Sequence, residues 1–354
     1  MKILITGNLG YVGPAVASHF SARFPHAEIV GYDTGLFAHC LTGQSHVPEV
    51  ILDRQIYGDI RDIPAEAFVG VDAVVHLAAV SNDPIGGRFE AVTDDINHVA
   101  TVEAARRAHA AGVRNFVFAS SCSVYGAAPG PARVESDLLN PQTAYARSKV
   151  SAEEGLLSEP LPGMTITCLR FATACGWSPR LRLDLVLNDF VASAISTGSV
   201  AILSDGSPWR PLIDVRDMSR ALEWGATRSA AEGGDKLVVN AGHPDANYQV
   251  RDLAKAVVDA LPGTTLSINT AAQPDTRSYQ VDFSAFARLA PDFLPKFSLQ
   301  ESIEGLISGL NGMKFASSDF RNSEYMRLKV LEKHLTNNLI GSDLRWAARQ
   351  GAAA

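Results

Sequence analysis

The sequence is poor in cysteine and has neither a basic cluster nor a long apolar run. Only four of its 354 residues are cysteines, and none belongs to a Cys-x-x-Cys pair or to the spacing of a disulfide framework. We therefore expect reduced thiols and no metal site. No apolar run approaches the roughly eighteen residues needed to cross a bilayer, and Met1 leads into a first strand without room for a signal peptide. These absences predict a cytoplasmic protein without a membrane partner.

The charge distribution is mildly acidic. The formal net charge is −7, and lysines and arginines form no cluster of five or more. Non-specific binding of nucleic acid requires a basic surface, so we expect no nucleic-acid partner. The hydrophobic content of 46 % supports a large core, and the length exceeds that of one average domain.

The first twenty residues have the pattern of a strand, a glycine turn and a helix. Residues 1–6 are an apolar run, Gly7, Gly10 and Gly13 space the turn, and residues 14–20 have the apolar spacing of a helix. At such a turn, the unpaired N–H groups and the positive dipole end of the helix point toward the turn, so an anion can bind there. Gly7 would permit the tight turn, Gly10 the approach of a diphosphate and Gly13 close packing of helix and strand.

An acidic residue follows at the distance expected for a dinucleotide site. Residues 28–33 form a second apolar run that ends in Asp33, about twenty residues after the last glycine, where a carboxylate can bind an adenosine ribose. Its negative charge would repel a 2′-phosphate, which favours NAD over NADP. The spacing is G-x-x-G-x-x-G and not the G-x-G-x-x-G fingerprint, so a turn of purely structural origin is the alternative.

Strand and helix patterns alternate through the first half of the chain. The alternation predicts an α/β fold with a Rossmann-type doubly wound parallel sheet and helices on both faces. Further strands are expected at 56–58, 71–79, 114–120 and 165–169, and helices at 88–111 and 145–157.

The pattern loosens beyond about residue 175 into helices and short strands, one of them at 236–239. We expect an NAD-binding domain at 1–175 to which later segments return, a mainly substrate-binding α/β lobe at 176–311, and a helical extension at 312–354. The tail from 320 to 346 carries a helical stripe that would cover the core or a partner subunit, at Leu328, Leu331, Leu335 and Leu339.

A tyrosine and a lysine four residues apart share one face of the helix at 145–157. Tyrosine titrates near 10 and is a poor base at neutral pH. The Lys149 ammonium and a positive nicotinamide ring would stabilise the Tyr145 phenolate, which could then exchange a proton with an alcohol while hydride moves to the cofactor. Ser121, at the carboxyl end of the neighbouring strand, would hold the same substrate oxygen. A Tyr-x-x-x-Lys pair alone is a weak signal, but its order after a nucleotide-binding turn indicates function.

Taken together, the chain resembles an extended short-chain dehydrogenase/reductase of the NAD-dependent epimerase/dehydratase family, which acts on nucleotide sugars. The motifs that carry the resemblance extend to about residue 285 and are Thr6-Gly7-x-x-Gly10-x-x-Gly13, Asp33, Gly58-Asp59-Ile60-x-Asp62, His76-Leu77-Ala78-Ala79, Ser120-Ser121-x-x-Val124-Tyr125-Gly126, Tyr145-x-x-x-Lys149, Leu169-Arg170-Phe171 and Arg210-Pro211-Leu212-Ile213-Asp214-Val215-x-Asp217.

The resemblance implies roles for the matching residues. Tyr145, Lys149 and Ser121 would be catalytic, and Arg210 and Arg277 would grip the substrate diphosphate, which suits the arginine fork. The substrate would also contact Ser121 and Ser123. The implied NAD-binding residues are Gly7, Gly10, Tyr11, Val12, Gly13, Asp33, Asp59, Ile60, Leu77, Ala78, Ala79, Ser120, Tyr145 and Lys149.

Two departures from the family pattern bear on the reaction. Members that eliminate water carry an Asp-Glu pair directly after the catalytic hydroxyl residue, where this chain has Cys122 and Ser123. A 4,6-dehydratase is therefore disfavoured. A 3,5-epimerase of the related kind would carry its cysteine at position 123, so we interpret Cys122 as a buried small side chain.

The remaining reactions begin with oxidation at a sugar carbon by NAD. If the ketone takes the hydride back on its other face, the protein is a nucleotide-sugar epimerase, most often at C4. If the ketone leaves, it is a dehydrogenase or a ketoreductase, and the same residues serve both. A cofactor-binding protein that has lost catalysis is the third hypothesis. Family analogy further implies a homodimer formed by the helices at 88–111 and 145–157.

Overall fold

The computed structural model describes residues 1–43, 47–81, 83–272 and 278–347. Its strands, in chain order, are β1 (Lys2–Thr6), β2 (Glu28–Asp33), β3 (Arg54–Tyr57), β4 (Ala73–His76), β5 (Asn115–Ser121), β6 (Thr165–Phe171), β7 (Thr173–Cys175), β8 (Ser199–Ile202), β9 (Trp209–Asp214), β10 (Lys236–Ala241), β11 (Asn247–Gln249) and β12 (Thr265–Ile268). Its α-helices are α1 (Gly13–Arg23), α2 (Asp83–Arg88), α3 (Glu90–Asp94), α4 (Ala100–Ala110), α5 (Ala144–Ser158), α6 (Val186–Thr197), α7 (Val215–Thr227), α8 (Val250–Ala260), α9 (Ser284–Leu289), α10 (Leu299–Gly312) and α11 (Arg327–Thr336).

The main sheet has seven parallel strands in the order β10-β6-β5-β4-β1-β2-β3. The order reverses at β1 and β4, so the crevice between their carboxyl ends is the place where such sheets bind ligands. The predicted doubly wound α/β fold is confirmed.

Both faces of the main sheet are buried, which explains its nearly continuous apolar strands. Side chains alternate between the faces, so Ile3 and Ile5 belong to the cluster that contains Phe20 of α1, whereas Leu4 belongs to the opposite one. Helices α1 and α7 cover the first face, and α4 and α5 cover the second.

A smaller lobe packs at the carboxyl edge of the sheet. It contains the three-stranded sheet β11-β9-β7 and the two-stranded sheet β12-β8. The strand expected at 236–239 forms β10, which returns to the main sheet beside β6. The division of the chain at residues 175 and 311 stays a prediction.

The single long helix expected at 88–111 is wrong. Phe89 leaves the helical conformation between α2 and α3, and a π-helical turn at Asp95–Val99 precedes α4. The cause is tertiary, because the buried Asn97 side chain in this turn accepts from Val80 N at 2.7 Å and donates to Val80 O at 3.0 Å. The irregular turn thus fixes the loop that follows β4.

Two further predicted elements are shorter than expected. Strand β4 ends at His76, so Leu77 and the residues after it leave the sheet. Among the described residues of the tail, α11 is the one α-helix and a short 3₁₀ helix forms at Phe320–Asn322, while Asn338 and Leu344 leave the helical conformation with φ angles of 55° and 59°. Within the four described ranges, no helix combines the length and apolar character required to cross a membrane.

Candidate cofactor and active site

A cleft of about 1200 Å³ opens at the carboxyl ends of β1, β2, β4 and β5. A site for one small ligand usually measures about 300–1,000 Å³, so this cleft is large enough for two ligands side by side. It brings together most of the predicted site residues, namely Gly7, Gly10, Tyr11, Val12, Asp33, Asp59, Ile60, Leu77, Ala78, Ala79, Ser120, Ser121, Ser123, Tyr145, Lys149 and Arg210. Gly13 lies outside the lining, and Arg277 falls outside the described residues.

The glycine turn depends on the missing side chains. Gly7 has φ = 73°, and a Cβ there would lie 2.5 Å from the backbone nitrogen of Ala78. A Cβ at Gly13 would lie 1.9 Å from the carbonyl oxygen of Asn8. Both positions therefore require glycine. No side chain caps the start of α1, which leaves its first turn open to an anion in the cleft.

Two carboxylates line the adenosine end predicted from the sequence. Asp33 accepts from Leu9 N at 3.0 Å and from Gly35 N at 2.7 Å. Burial raises the pKa of Asp33, although these backbone donors act in the opposite direction. A carboxylate has about four acceptor positions, so Asp33 can also accept from a ribose.

Asp59, after β3, is held by Arg61. Its carboxylate accepts from Arg61 N at 2.9 Å and from Nη2 at 2.6 Å. Burial would raise the pKa of Asp59, but the hydrogen bonds and the charge of Arg61 hold it below its ordinary value. This ion pair shapes the rim of the cleft at the end of β3.

Tyr145, the predicted catalytic tyrosine, is positioned by the start of α5. Thr143 caps this helix by accepting from Ala146 N at 3.2 Å. The Tyr145 phenol and the Ser121 hydroxyl, at the end of β5, both line the cleft, and Ser121 lowers the pKa of the phenol. The helix and strand therefore bring the two predicted catalytic hydroxyls to the same part of the cleft.

Burial raises the pKa of Tyr145 to about 12. The hydrogen bond from Ser121 and the charge of Arg182 lower it, whereas the charge of Asp83 raises it. Sequence reasoning missed Arg182, which is buried in the cleft lining and donates to Ser81 Oγ at 3.0 Å. Nothing in the local pattern around residue 182 connects it with Tyr145.

Lys149 lies one turn along α5 from Tyr145, as the spacing predicts. Its Nζ is 5.7 Å from the Tyr145 ring centre and 4.4 Å from that of Phe118, and it donates to Ala119 O at 2.7 Å. Burial lowers the pKa of the Lys149 ammonium to about 7, although the charge of Glu153 raises it. Among the described residues, the ammonium thus donates to the Ala119 carbonyl, lies over the Phe118 ring and is influenced by the Glu153 carboxylate.

The two residues at the dehydratase acid and base positions are not carboxylates. The Cys122 thiol is fully buried and donates to Arg170 O at 3.0 Å, and burial holds its pKa well above the ordinary value. The Ser123 hydroxyl is buried in the cleft wall and makes no hydrogen bond to any residue that the structure describes. Ser123 can therefore offer its hydroxyl to a ligand.

Residues of the tail also line this cleft, which sequence reasoning missed. The apolar stripe of the tail predicts a cover for the core or for a partner subunit. Leu331 is the one residue of that stripe that lines the cleft. Leu339 is instead 46 % exposed. The other tail residues in the lining are Arg321, Met326, Arg327 and Leu344.

The sheet order and the glycine turn define the Rossmann class of dinucleotide-binding folds. Residues 3–242 match the model of the NAD dependent epimerase/dehydratase family. The chain belongs to this family, as the motifs predict, and NAD is the cofactor that the family description names.

Individual relatives agree with this family. A UDP-glucose 4-epimerase of Corynebacterium glutamicum is 31 % identical over 182 residues, which cover 50 % of this chain and 52 % of the relative. A dTDP-glucose 4,6-dehydratase of an Actinoplanes strain is 24 % identical over 313 residues, covering 81 % and 91 %. The solved complex of MoeE5 with UDP-glucose and NAD has a TM-score of 0.73 at 25 % identity, covering 88 % of this chain and 99 % of that one. The chain therefore spans about half the length of the first of these relatives and nearly all of the structural neighbour.

Proposed function

We propose that this protein is an NAD-dependent nucleotide-sugar epimerase that acts at C4 of the sugar. The observation that carries the proposal is that Tyr145 and Ser121 line one cleft together with the glycine turn, with the Lys149 ammonium 5.7 Å from the centre of the Tyr145 ring. Relatives in the family include UDP-glucose 4-epimerases, which supports both the reaction and the substrate class.

The residues present fit NAD. The Cβ-free surface at Gly7 and the uncapped start of α1 suit a diphosphate, and the Asp33 carboxylate has acceptor positions left for the ribose. Its charge disfavours a 2′-phosphate. When bound, the nicotinamide ring supplies the hydride acceptor and a positive charge.

The chain's own residues would then move the proton. Tyr145 as a phenolate accepts the proton of the sugar hydroxyl, and Ser121 donates a hydrogen bond that holds the same oxygen. Burial raises the pKa of Tyr145 to about 12 with Lys149 already in place, so the phenol is protonated before the cofactor binds. A further positive charge favours the phenolate, so the nicotinamide ring of bound NAD beside the Lys149 ammonium would lower this pKa.

The nucleotide sugar would lie beside the cofactor, along the lobe side of the cleft. Arg210, on β9, lines this part and would bind the diphosphate together with Arg277. Ser123 would offer its hydroxyl to the sugar. Since neither Cys122 nor Ser123 can act as a carboxylic acid, elimination of water is disfavoured although dehydratases occur among the relatives.

Incubation with UDP-, GDP- and dTDP-sugars tests the reaction. We expect the C4 isomer of one sugar to form without added cofactor and without net NADH. Net accumulation of NADH would instead identify a dehydrogenase or, in reverse, a ketoreductase. A 4-keto-6-deoxy product would identify a dehydratase.

Substitution of the phenol tests the role of Tyr145. Tyr145→Phe should reduce turnover about 10²- to 10⁴-fold, the usual contribution of a positioned acid or base. Tyr57→Phe is the matched control, since Tyr57 is 67 % exposed. Unchanged biological function in Tyr145→Phe would favour a cofactor-binding protein without catalysis.

The expected homodimer also belongs to this proposal. Residues of the π-helical turn and α5 would form the interface, and exposed Val99 lies in that turn. Light scattering of the purified protein measures the mass directly, and a monomer at micromolar concentration would contradict the proposal.

A further inference from the structure

The C-terminal segment, residues 313–347, reaches back to the cofactor half of the cleft. Leu331 of α11 and Leu344 line the cleft and are only 2 % exposed. They share a small buried cluster with residues that follow β2 and β4, consisting of Leu36, Val80, Ile85, Leu331, Ile340 and Leu344. The segment is therefore packed against the loops next to the proposed adenosine subsite.

The end of the segment is attached to the loop after β2. The Trp346 indole Nε1 donates to Thr34 O at 2.7 Å. Thr34 directly follows Asp33, the proposed ribose ligand. Helix α11 contacts the same loop, since His334 Nε2 lies 3.0 Å from Leu36 O.

The segment is also attached to the loop after β3. Arg345 forms an ion pair with Asp62, and its Nη1 lies 3.9 Å from Asp59 Oδ2. Arg61, which holds the Asp59 carboxylate, donates through Nη1 to Asp343 O at 3.0 Å. Contacts to both loops mean that the segment crosses the opening between Asp33 and Asp59.

The backbone at Leu344 is in a conformation that leucine rarely adopts. Its φ is 59°, and a bulky residue in the left-handed region persists only where its surroundings impose it. Here that conformation accompanies a leucine side chain that lines the cleft, whereas Leu339, in the same segment, is 46 % exposed.

We propose that the C-terminal segment is the outer wall of the adenosine subsite and that Leu344 contacts the adenosine of bound NAD. The segment would retain the cofactor between turnovers, as an epimerase that returns its hydride requires. This inference rests on the proposed function, because it takes NAD as the ligand of the cleft. A segment that instead blocks the subsite is an outcome that the experiment can detect.

The variant Leu344→Gly in the full chain tests whether Leu344 contacts the adenosine of bound NAD. Glycine adopts φ = 59° without strain, so the variant removes the side chain and leaves the backbone conformation accessible. Release of bound NAD is measured by exchange against labelled NAD, and should be about tenfold faster because apolar contact surface is lost. Leu339→Gly is the matched control and should release NAD at the wild-type rate.

A second variant covers the case in which Leu344→Gly does not fold. Trp346→Phe keeps an aromatic ring at this half-exposed position and removes the donor to Thr34 O together with part of the indole, and it should release NAD about twofold to tenfold faster, as expected for one lost hydrogen bond. Thermal unfolding without NAD identifies unfolded variants.

The outcomes separate the two proposals. If both folded variants released NAD at the wild-type rate, the proposal that the C-terminal segment forms the outer wall of the subsite would be overturned. The proposed reaction would be unaffected. Slower release or tighter NAD binding in Leu344→Gly would also overturn it and identify a blocking segment. Failure of the wild-type protein to bind NAD would overturn the proposed function together with this inference.

Discussion

Arg170 donates two hydrogen bonds to the carboxylate of Glu153, from Arg170 Nε to Oε1 at 3.1 Å and from Arg170 Nη2 to Oε2 at 2.7 Å. Both side chains are buried. The same carboxylate accepts from the Ser120 hydroxyl, directly before Ser121. Glu153 also lies one turn after Lys149 on α5. The pair therefore links the end of β5, which carries Ser121, to helix α5, which carries Tyr145 and Lys149.

Glu153→Gln should destabilise the protein by about 3–5 kcal/mol, because it leaves the Arg170 guanidinium buried without its counter-charge. Unfolding by denaturant measures the loss. The neighbouring Glu154 is exposed, so Glu154→Gln should change the free energy of unfolding by less than about 0.5 kcal/mol. Equal losses in the two variants would show that the buried pair is not what matters.

The Lys149 ammonium should make stability depend on pH. Its pKa of about 7 in the folded, cofactor-free chain lies below the ordinary value of 10.5, so the unfolded chain binds more protons between these values. Stability from this group therefore rises with pH from about 7 to 10.5 and is lowest below 7. Relative to Lys149→Met, the wild-type protein should gain stability over this range, as thermal unfolding at several pH values would show.

The control for this pH dependence is Lys329→Met, since Lys329 is 43 % exposed and its ion pair with Glu332 is at the surface. Because this side chain is exposed to water in the folded chain, Lys329→Met should not reproduce the stability profile of Lys149→Met. If the stability of the wild-type protein and that of Lys149→Met changed in the same way at every pH, the lowered pKa of Lys149 would be contradicted.

The variant Asp33→Ala should bind NAD at least tenfold more weakly, whereas its affinity for NADP should change far less. The carboxylate accepts from the ribose of NAD, whereas the 2′-phosphate of NADP is repelled by it and gains from its removal. Calorimetric titration with both dinucleotides measures the two affinities. Asp33→Asn, which removes the charge but keeps an acceptor, should lose less NAD affinity, and equal losses for both dinucleotides in Asp33→Ala would argue against the ribose assignment.

Ser123→Ala should raise KM for the sugar nucleotide without weakening NAD. The hydroxyl is buried with no partner among the described residues, so its removal should leave stability unchanged or slightly higher. Loss of one substrate hydrogen bond should raise KM about twofold to tenfold. Steady-state kinetics measures KM, and thermal unfolding measures stability. A lower unfolding temperature with unchanged KM would show that the Ser123 hydroxyl has a structural role instead.

Much of the cofactor half could be predicted from the sequence because its signals are local. The turn at Gly7, the acid at the end of β2 and the four-residue spacing of Tyr145 and Lys149 follow from short-range geometry of strands and helices. The parallel sheet follows from the alternation of apolar segments. Family motifs then predicted which residue serves each role from its order along the chain.

Only the tertiary structure showed which distant residues join this site. The charge of Arg182, in a loop after β7, acts on Tyr145, and Leu344 packs against the Asp33 loop from the other end of the chain. The break between α2 and α4 accompanies two hydrogen bonds between the Asn97 side chain and the Val80 backbone, one accepted from Val80 N and one donated to Val80 O. Sequence periodicity records which face of a segment is apolar, but not what lies opposite it. The amino-acid sequence therefore determined the fold class and the dinucleotide motif, whereas the electrostatic setting of the phenol and the packing of the C-terminal segment beside the Asp33 loop were decided by contacts made only on folding.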